Sequence, residues 1–414
     1  MSVSQEQSTS VVMPKPTVGS AVGLVLPGGG ARAAYQVGVL KAIAEWMPGM
    51  PNPFPVIVGT SAGAVAATVI GTEAFRWQYA VQALENVWAN FHVEQVFRSD
   101  SLQMMRAGLH WATSLLSGGM LMAPPRALFD NTPLRQLLKE RIQFRHLQRS
   151  LATGALRSLA ICASSYTSAS SVAFFQSAET VADWERHQRI GRRCHLHLDH
   201  VMASLGVPLL FPPVKLGHEF YGDGAQRQLW PLSPAIRLGA DRLLIVGVRS
   251  QLGAGVPTRP RVTRPPSAGQ LFGYMLDTLF MDQIFANIEH VEWLNQVASV
   301  APDAVPGIRK VATLMIAPSR DLREIASRHM RELPRPVRAL LNVMGAGGRG
   351  GAQLSSYMMF EKAFTSELID LGYRDACAKR EQLLDFLSGK PISDSSTMPL
   401  PPDQASGTHR SKQK

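Results

Sequence analysis

An uncharged apolar run, Pro55-Val56-Ile57-Val58, ends in Gly59-Thr60-Ser61-Ala62-Gly63 and continues into Ala64-Val65-Ala66-Ala67. Run, tight turn and small-residue stretch read as strand, elbow and helix. A serine between two glycines at a strand-to-helix turn is the arrangement of a nucleophile elbow. Gly59 and Gly63 tolerate the tight backbone and leave room above the hydroxyl for a substrate carbonyl. The elbow turns a weak alcohol into a positioned attacker. The same pattern also reads as an ordinary tight turn in a chain rich in alanine and glycine. In either case a strand feeding a helix here implies a parallel sheet with helices on its faces. Residues 55–72 carry no charge, but their Gly, Ala and Thr content and the elbow within them suit a strand and buried helix rather than a membrane span.

A second apolar run, Ala21-Val22-Gly23-Leu24-Val25-Leu26-Pro27, enters three glycines, Gly28-Gly29-Gly30, and a helical pattern follows with Val37, Leu40 and Ala44. Successive glycines at a helix N-terminus expose backbone N–H groups in a partly positive site. Such a site holds a phosphate or the negative oxygen of an acyl-transfer intermediate. Gly28-x-Gly30-x-x-Ala33 also fits the dinucleotide fingerprint. That fingerprint expects an acidic residue at the tip of the next strand, where this chain has Ser61. A third feature is Tyr221-Gly222-Asp223-Gly224-Ala225, preceded by Phe211-Pro212-Pro213-Val214 and followed by Trp230-Pro231-Leu232-Ser233-Pro234. An Asp between glycines either makes a common turn or aims its carboxylate into a cleft.

In this order the three features resemble the patatin-like phospholipases. The resemblance makes Gly28-Gly29-Gly30-Ala31-Arg32 the oxyanion loop, with Gly28, Gly29 and Gly30 as donors and Arg32 in support. Ser61 becomes the nucleophile, flanked by Gly59 and Gly63, and Asp223 the base, flanked by Gly222 and Gly224. The run His197–Ser204 leading to Pro208 and Phe211-Pro212-Pro213 is similar to the segment that supports the Asp loop, with Leu205-Gly206 departing from the usual small or hydroxyl residues. The likeness covers about residues 20–250, and residues 333–387 resemble the C-terminal part of some bacterial members. What it implies is a three-layer α/β/α fold with a central, mostly parallel sheet and a C-terminal helical extension. It also implies a Ser–Asp dyad without histidine, metal or cofactor, cleaving carboxyl esters of phospholipids or lysophospholipids. Neutral lipids, thioesters, acyl transfer and a non-catalytic lipid-binding scaffold are the alternatives on the same fold. A free Asp, with a pKa of about 3.9, is a poor base for serine, so burial must raise its proton affinity.

Hydrophobic residues make up 45% of the 414, enough for one large α/β domain and additions. The three cysteines, Cys162, Cys194 and Cys377, are far apart and odd in number, which suits a reducing, cytoplasmic setting. The first 20 residues show no secretory pattern. A net charge of +11 fits an anionic membrane surface as well as a solvated basic one, and there is no nucleic-acid motif. His195, His197, Asp199 and His200 have metal-like residue types but not a standard spacing, and the three histidines, with His218, are the candidates for a histidine acting on Ser61.

Along the chain, 1–19 reads as a disordered N-terminus and 20–250 as the catalytic domain. Residues 251–320 continue the α/β core after a Pro/Arg loop, 321–387 are helical, and 388–414 form a disordered tail. Residues 101–129, rich in Met and Leu and free of acids, read as a cap over the site, as a stretch that meets the membrane, or as a core helix pair.

Overall fold

The computed structural model describes residues 21–99, 109–110, 113–114, 117, 127–250, 265–301, 309–346 and 351–390. The expected disordered N-terminus, most of the proposed cap at 101–129, most of the Pro/Arg loop and the tail beyond residue 390 lie outside the described residues. Among those described, ten strands form one sheet: β1 Val22–Leu26, β2 Val56–Thr60, β3 Ser158–Ser165, β4 Ser171–Ser177, β5 Trp184–Arg186, β6 Arg189–Arg193, β7 Val214–Leu216, β8 Glu219–Asp223, β9 Arg242–Val246 and β10 Ala312–Ile316. The order is β10-β9-β1-β2-β3-β4-β6-β5, with β8 paired to both β3 and β7.

From β10 to β3 every pairing is parallel. The apolar runs explain why. Strands buried on both faces read as continuous hydrophobic sequence, and Leu243, Leu244, Ile245 and Val246 of β9 are completely buried. Each such side chain contributes roughly 1.5–3 kcal/mol relative to exposure. Beyond β3 the sheet turns mixed. β3 and β4 form the hairpin expected over 158–177 and pair antiparallel from Ser158↔Ser177 to Ser164↔Ser171.

Helices α1 Ala34–Trp46 and α2 Ala62–Thr72 connect β1 to β2 and β2 to β3, and α3 Trp77–Trp88 follows. Right-handed crossovers put α1 and α2 on one face and the connections into β9 and β10 on the other. The uncharged stretch 55–72 is therefore β2 and an 11-residue helix. Among the described residues no helix is long and apolar enough to cross a membrane. The C-terminal helices pack into the core. Helix Lys362–Ala378 lies backbone to backbone on α1, where a Cβ on Gly38 would fall on the Ile369 carbonyl and one on Gly372 on the Tyr35 carbonyl.

Candidate active site

The loops that follow β1 and β2 meet at the C-terminal end of the parallel strands, where α/β sheets place their ligand crevices. Ser61 follows β2 at φ 53° and ψ −129°, a conformation that costs a non-glycine residue of order 1–3 kcal/mol. The surroundings hold it there. A Cβ on Gly63 would strike the Leu26 carbonyl, and one on Gly59 would reach Ala64 and Ala67. The Ser61 N–H donates to Ser204 Oγ at 2.8 Å, and the Ser204 hydroxyl donates to the Cys162 carbonyl at 2.6 Å. Ser61 is only 2% exposed.

Asp223 arrives by a fork in the sheet. One edge of β3 pairs with β2 up to Thr60↔Cys162, where β2 ends. The next residue along that edge, Ala163, pairs with Asp223 of the antiparallel β8. The end of β8 thus abuts the end of β2, and the carboxylate and the alcohol are brought together across a separation of more than 160 residues in sequence. Gly224 closes the joint, since a Cβ there would lie on the Cys162 carbonyl. The neighbouring Gly222 leaves space taken by the Tyr166 hydroxyl. The Asp223 N–H donates to the Gly206 carbonyl at 2.9 Å, so the unusual Leu205-Gly206 pair supports this loop while Leu205 faces the cavity.

The carboxylate is 1% exposed. Its Oδ1 accepts the Ala225 N–H at 2.9 Å, and its Oδ2 is buried without a hydrogen-bond partner among the described residues. Burial pushes the Asp223 pKa up to about 7, against the smaller downward pulls of the Ser61 hydroxyl and the Ala225 amide. The alcohol is near enough to act on the carboxylate without completing an aligned bond to Oδ2, which leaves that oxygen free to accept a proton.

Gly28, Gly29 and Gly30 sit directly beside the elbow. A Cβ on Gly28 would come within 2.8 Å of the Ser61 Cβ, one on Gly29 within 2.7 Å of Val248, and one on Gly30, at φ 52°, onto the Tyr357 carbonyl. The start of the loop is tied down by Gln36, whose Nε2 donates to the carbonyls of Pro27 at 3.0 Å and Val246 at 3.1 Å. Arg32 is 1% exposed and points away from Ser61, into the C-terminal region. It donates to Asp277 Oδ1 at 2.8 Å, Ser356 Oγ at 2.8 Å, the Tyr357 hydroxyl at 3.1 Å and the Gln353 carbonyl at 3.3 Å. Its guanidinium also stacks 3.8 Å from the Tyr357 ring centroid. Arg32 thus anchors the loop through a buried ion pair with Asp277 and does not face Ser61.

A largely apolar cavity of about 310 Å³ leads away from Ser61. Ala62, Val65 and Val69 of α2 line one wall, Leu84, Val87 and Trp88 of α3 another, and Leu134, Leu137 and Leu138 a third. Glu73, Arg76, Glu140 and Arg141 edge it at the far end of α2. Apolar walls with charge confined to one end fit an acyl chain.

The histidines are elsewhere. His200 is buried beside Cys194 Sγ, 3.6 Å from its Nε2, and burial lowers its pKa to about 4. His197 caps the helix Leu198–Ser204, while His195 and His218 are exposed. Among the described residues no group of three His, Cys, Asp or Glu converges as a metal set. Sequence reasoning missed Gln36, Asp277 and Tyr357, which carry no local signal. Ser204 lay within the quoted 197–204 run without a role.

A family model described as patatin-like phospholipase matches residues 24–236, more than half of the chain. No curated protein sequence matches. Among solved structures, VipD from Legionella pneumophila is similar at 14% identity and a TM-score of 0.33, over 89% of this chain and 72% of that one. Human GIVD cytosolic phospholipase A2, solved in complex with methyl gamma-linolenyl fluorophosphonate, is similar at 13% identity and a TM-score of 0.41. This chain covers 58% of that protein's chain, over 89% of its own length.

Proposed function

The chain belongs to the patatin-like phospholipase family, and from that premise we propose that it is a serine lipid acyl hydrolase in which Ser61 and Asp223 form the catalytic dyad. The substrate is a phospholipid or lysophospholipid, with its acyl chain along α2 in the apolar cavity. Asp223 Oδ2 takes the Ser61 proton as the alkoxide attacks the ester carbonyl. The tetrahedral oxyanion forms beside the backbone N–H groups of Gly28 to Gly30, and one such donor is commonly worth about 3 kcal/mol of barrier. Asp223 returns the proton to the leaving alcohol, then takes one from the water that attacks the acyl-enzyme and passes it to Ser61 Oγ as the Ser61–acyl bond breaks and the fatty acid leaves. A carboxylate raised to about 7 is a far better match to this task than a free Asp.

One observation carries the reading. Thr60 and Asp223 occupy consecutive places on the same edge of β3, with Asp223 Oδ2 buried and unpartnered beside the serine elbow. The +11 charge supports work at an anionic bilayer surface, and the three unpaired cysteines support a reducing, cytoplasmic location.

The test is fluorophosphonate labelling of the full chain beside Ser61→Ala and Asp223→Asn. The parent labels, the Ser61 variant does not, and the Asp223 variant labels far more slowly. A parent that neither labels nor hydrolyses any ester supports a lipid-binding scaffold instead. Labelling kept in Asp223→Asn and lost on changing one histidine supports a different base.

A further inference from the structure

On the far side of the sheet from the cavity, three arginines cluster without an acidic partner among the described residues. The turn between β5 and β6 is only His187-Gln188, and Arg186 pairs directly with Arg189 across it. Directly paired residues share a face of the sheet, and with the two-residue period Trp184 and Gly191 lie on that same face. Ser171 pairs with Arg189 from β4, and Ala173 pairs with Gly191, so the floor beside the arginines is built of small residues. The side chain of Trp184 covers Gly191 and stacks on Phe175, with centroids 5.0 Å apart. The third arginine comes from helix Ser233–Arg237, which begins just after Trp230. The Arg237 guanidinium stands 5.6 Å from the Trp184 ring centroid and that of Arg189 5.4 Å from the Trp230 ring centroid.

None of the three guanidinia has a carboxylate or carbonyl partner among the described residues, although Arg189 and Arg237 are partly buried. Glu185, between Trp184 and Arg186 in β5, pairs with Ile190 and so lies on the opposite face, while Asp183, just before the strand, is engaged by Arg192 at 3.9 Å and by the Arg193 N–H at 2.7 Å. Burial and mutual repulsion lower the pKa of both Arg189 and Arg237, with Arg186 acting on each. Like charges gathered at a partly desolvated place cost free energy unless an anion offsets them. Arginine forks match the oxygens of a phosphate group, and flanking indole faces hold such forks in place.

We infer that Arg186, Arg189 and Arg237, set between Trp184 and Trp230, form a binding site for a phosphate group, separate from the catalytic crevice. The group is borne either by a lipid head group or by a soluble phosphate. The inference is independent of the acyl hydrolase reading, because it requires no turnover.

The test is calorimetric titration of the full chain with inorganic phosphate and glycerol 1-phosphate, in parent and Ser61→Ala backgrounds, followed by co-sedimentation with phosphatidylcholine vesicles with and without phosphatidic acid. Arg186→Gln/Arg189→Gln and, separately, Arg237→Gln each weaken binding by about tenfold or more, since each removes charge-assisted hydrogen bonds. Their unfolding temperature without phosphate stays at or above that of the parent, because repulsion is relieved. Ser61→Ala binds like the parent. If the natural source is a head group, phosphatidic acid vesicles sediment the parent but not the arginine variants, and soluble phosphate competes. If it is a soluble phosphate, the variants lose phosphate binding with no change in sedimentation. Equal phosphate affinity in parent and arginine variants, or no binding by the parent at tens of millimolar, overturns the inference.

Discussion

Arg32 and Asp277 stand 245 positions apart in the chain and meet in a buried ion pair of 2.8 Å between Nη1 and Oδ1. The pair ties the loop of Gly28 to Gly30 to the end of helix Ala268–Asp277. The Tyr357 and Gln353 side chains close the same network by donating to the Asp277 carboxylate. The C-terminal third therefore sets the position of the proposed oxyanion donors, Gly28 to Gly30.

Asp277→Ala leaves the Arg32 guanidinium buried and uncompensated, a change that costs about 3–5 kcal/mol. Urea unfolding measures that loss. Ester hydrolysis by the fraction still folded loses kcat with KM little changed, because the donors act on the transition state rather than on the bound ester. A variant as stable and as fast as the parent contradicts the network's role.

The raised pKa of Asp223 separates activity from stability. As the proposed base, Asp223 works as the carboxylate, so kcat/KM is expected to fall about tenfold per pH unit below about 7 and to level off above it. Stability runs the opposite way. Between the free-carboxylate value of about 3.9 and about 7, the folded chain keeps a proton that the unfolded chain has released. The contribution of this group to stability is therefore intact below the lower value and is lost as pH rises through the upper one. At pH 8, Asp223→Asn unfolds at a higher urea concentration than the parent while hydrolysing esters far more slowly. A pH–rate profile and two urea curves decide both claims.

The elbow gives a related trade. Ser61 holds φ 53° without being glycine, so Ser61→Gly gains stability of about 1 kcal/mol through relief of strain, offset in part by greater freedom in the unfolded chain. Ser61→Ala keeps the strain and gains nothing. Both variants are inactive. Thermal unfolding of the pair isolates the backbone effect from the loss of the hydroxyl, and equal midpoints rule out strain at this turn.

What could be read from the sequence follows the range of the interactions involved. The Gly28–Gly30 loop, the Ser61 elbow and the β3–β4 hairpin are local patterns, in which apolar runs and turn residues within ten positions dictate the geometry. Asp223 was legible only through resemblance, because a loop Asp between glycines is common and its approach to Ser61 depends on how β8 continues the edge of β3 vacated by β2. Arg32 was visible as a residue, but its partner was not, since nothing near Asp277, Gln353 or Tyr357 marks them as destinations for a guanidinium. Ser204 shows the same limit. Its hydroxyl links the elbow amide to Cys162, and no periodicity distinguishes it from any buried serine in a helix.

The cavity along α2 implies a length limit on the acyl group. Val65 and Val69 lie four residues apart on α2, hence on one face, and both line the cavity. At a rise of 1.5 Å per residue, Val69 stands about 12 Å along the helix from Ser61. An acyl chain of a few carbons ends well short of it, whereas a palmitoyl chain must pass it. Val69→Trp fills the passage with an indole. Its kcat/KM for a palmitoyl ester falls about tenfold or more, while that for a butyryl ester stays within about twofold, because the reacting atoms are untouched. Ser204→Ala has the reverse signature: it strips a buried partner from the Ser61 N–H, at about 1–3 kcal/mol, and slows both esters alike. A series of p-nitrophenyl esters from butyrate to palmitate separates the two variants. If Val69→Trp slows every chain length by the same factor, the acyl group does not run along α2 and another route from Ser61 must hold it.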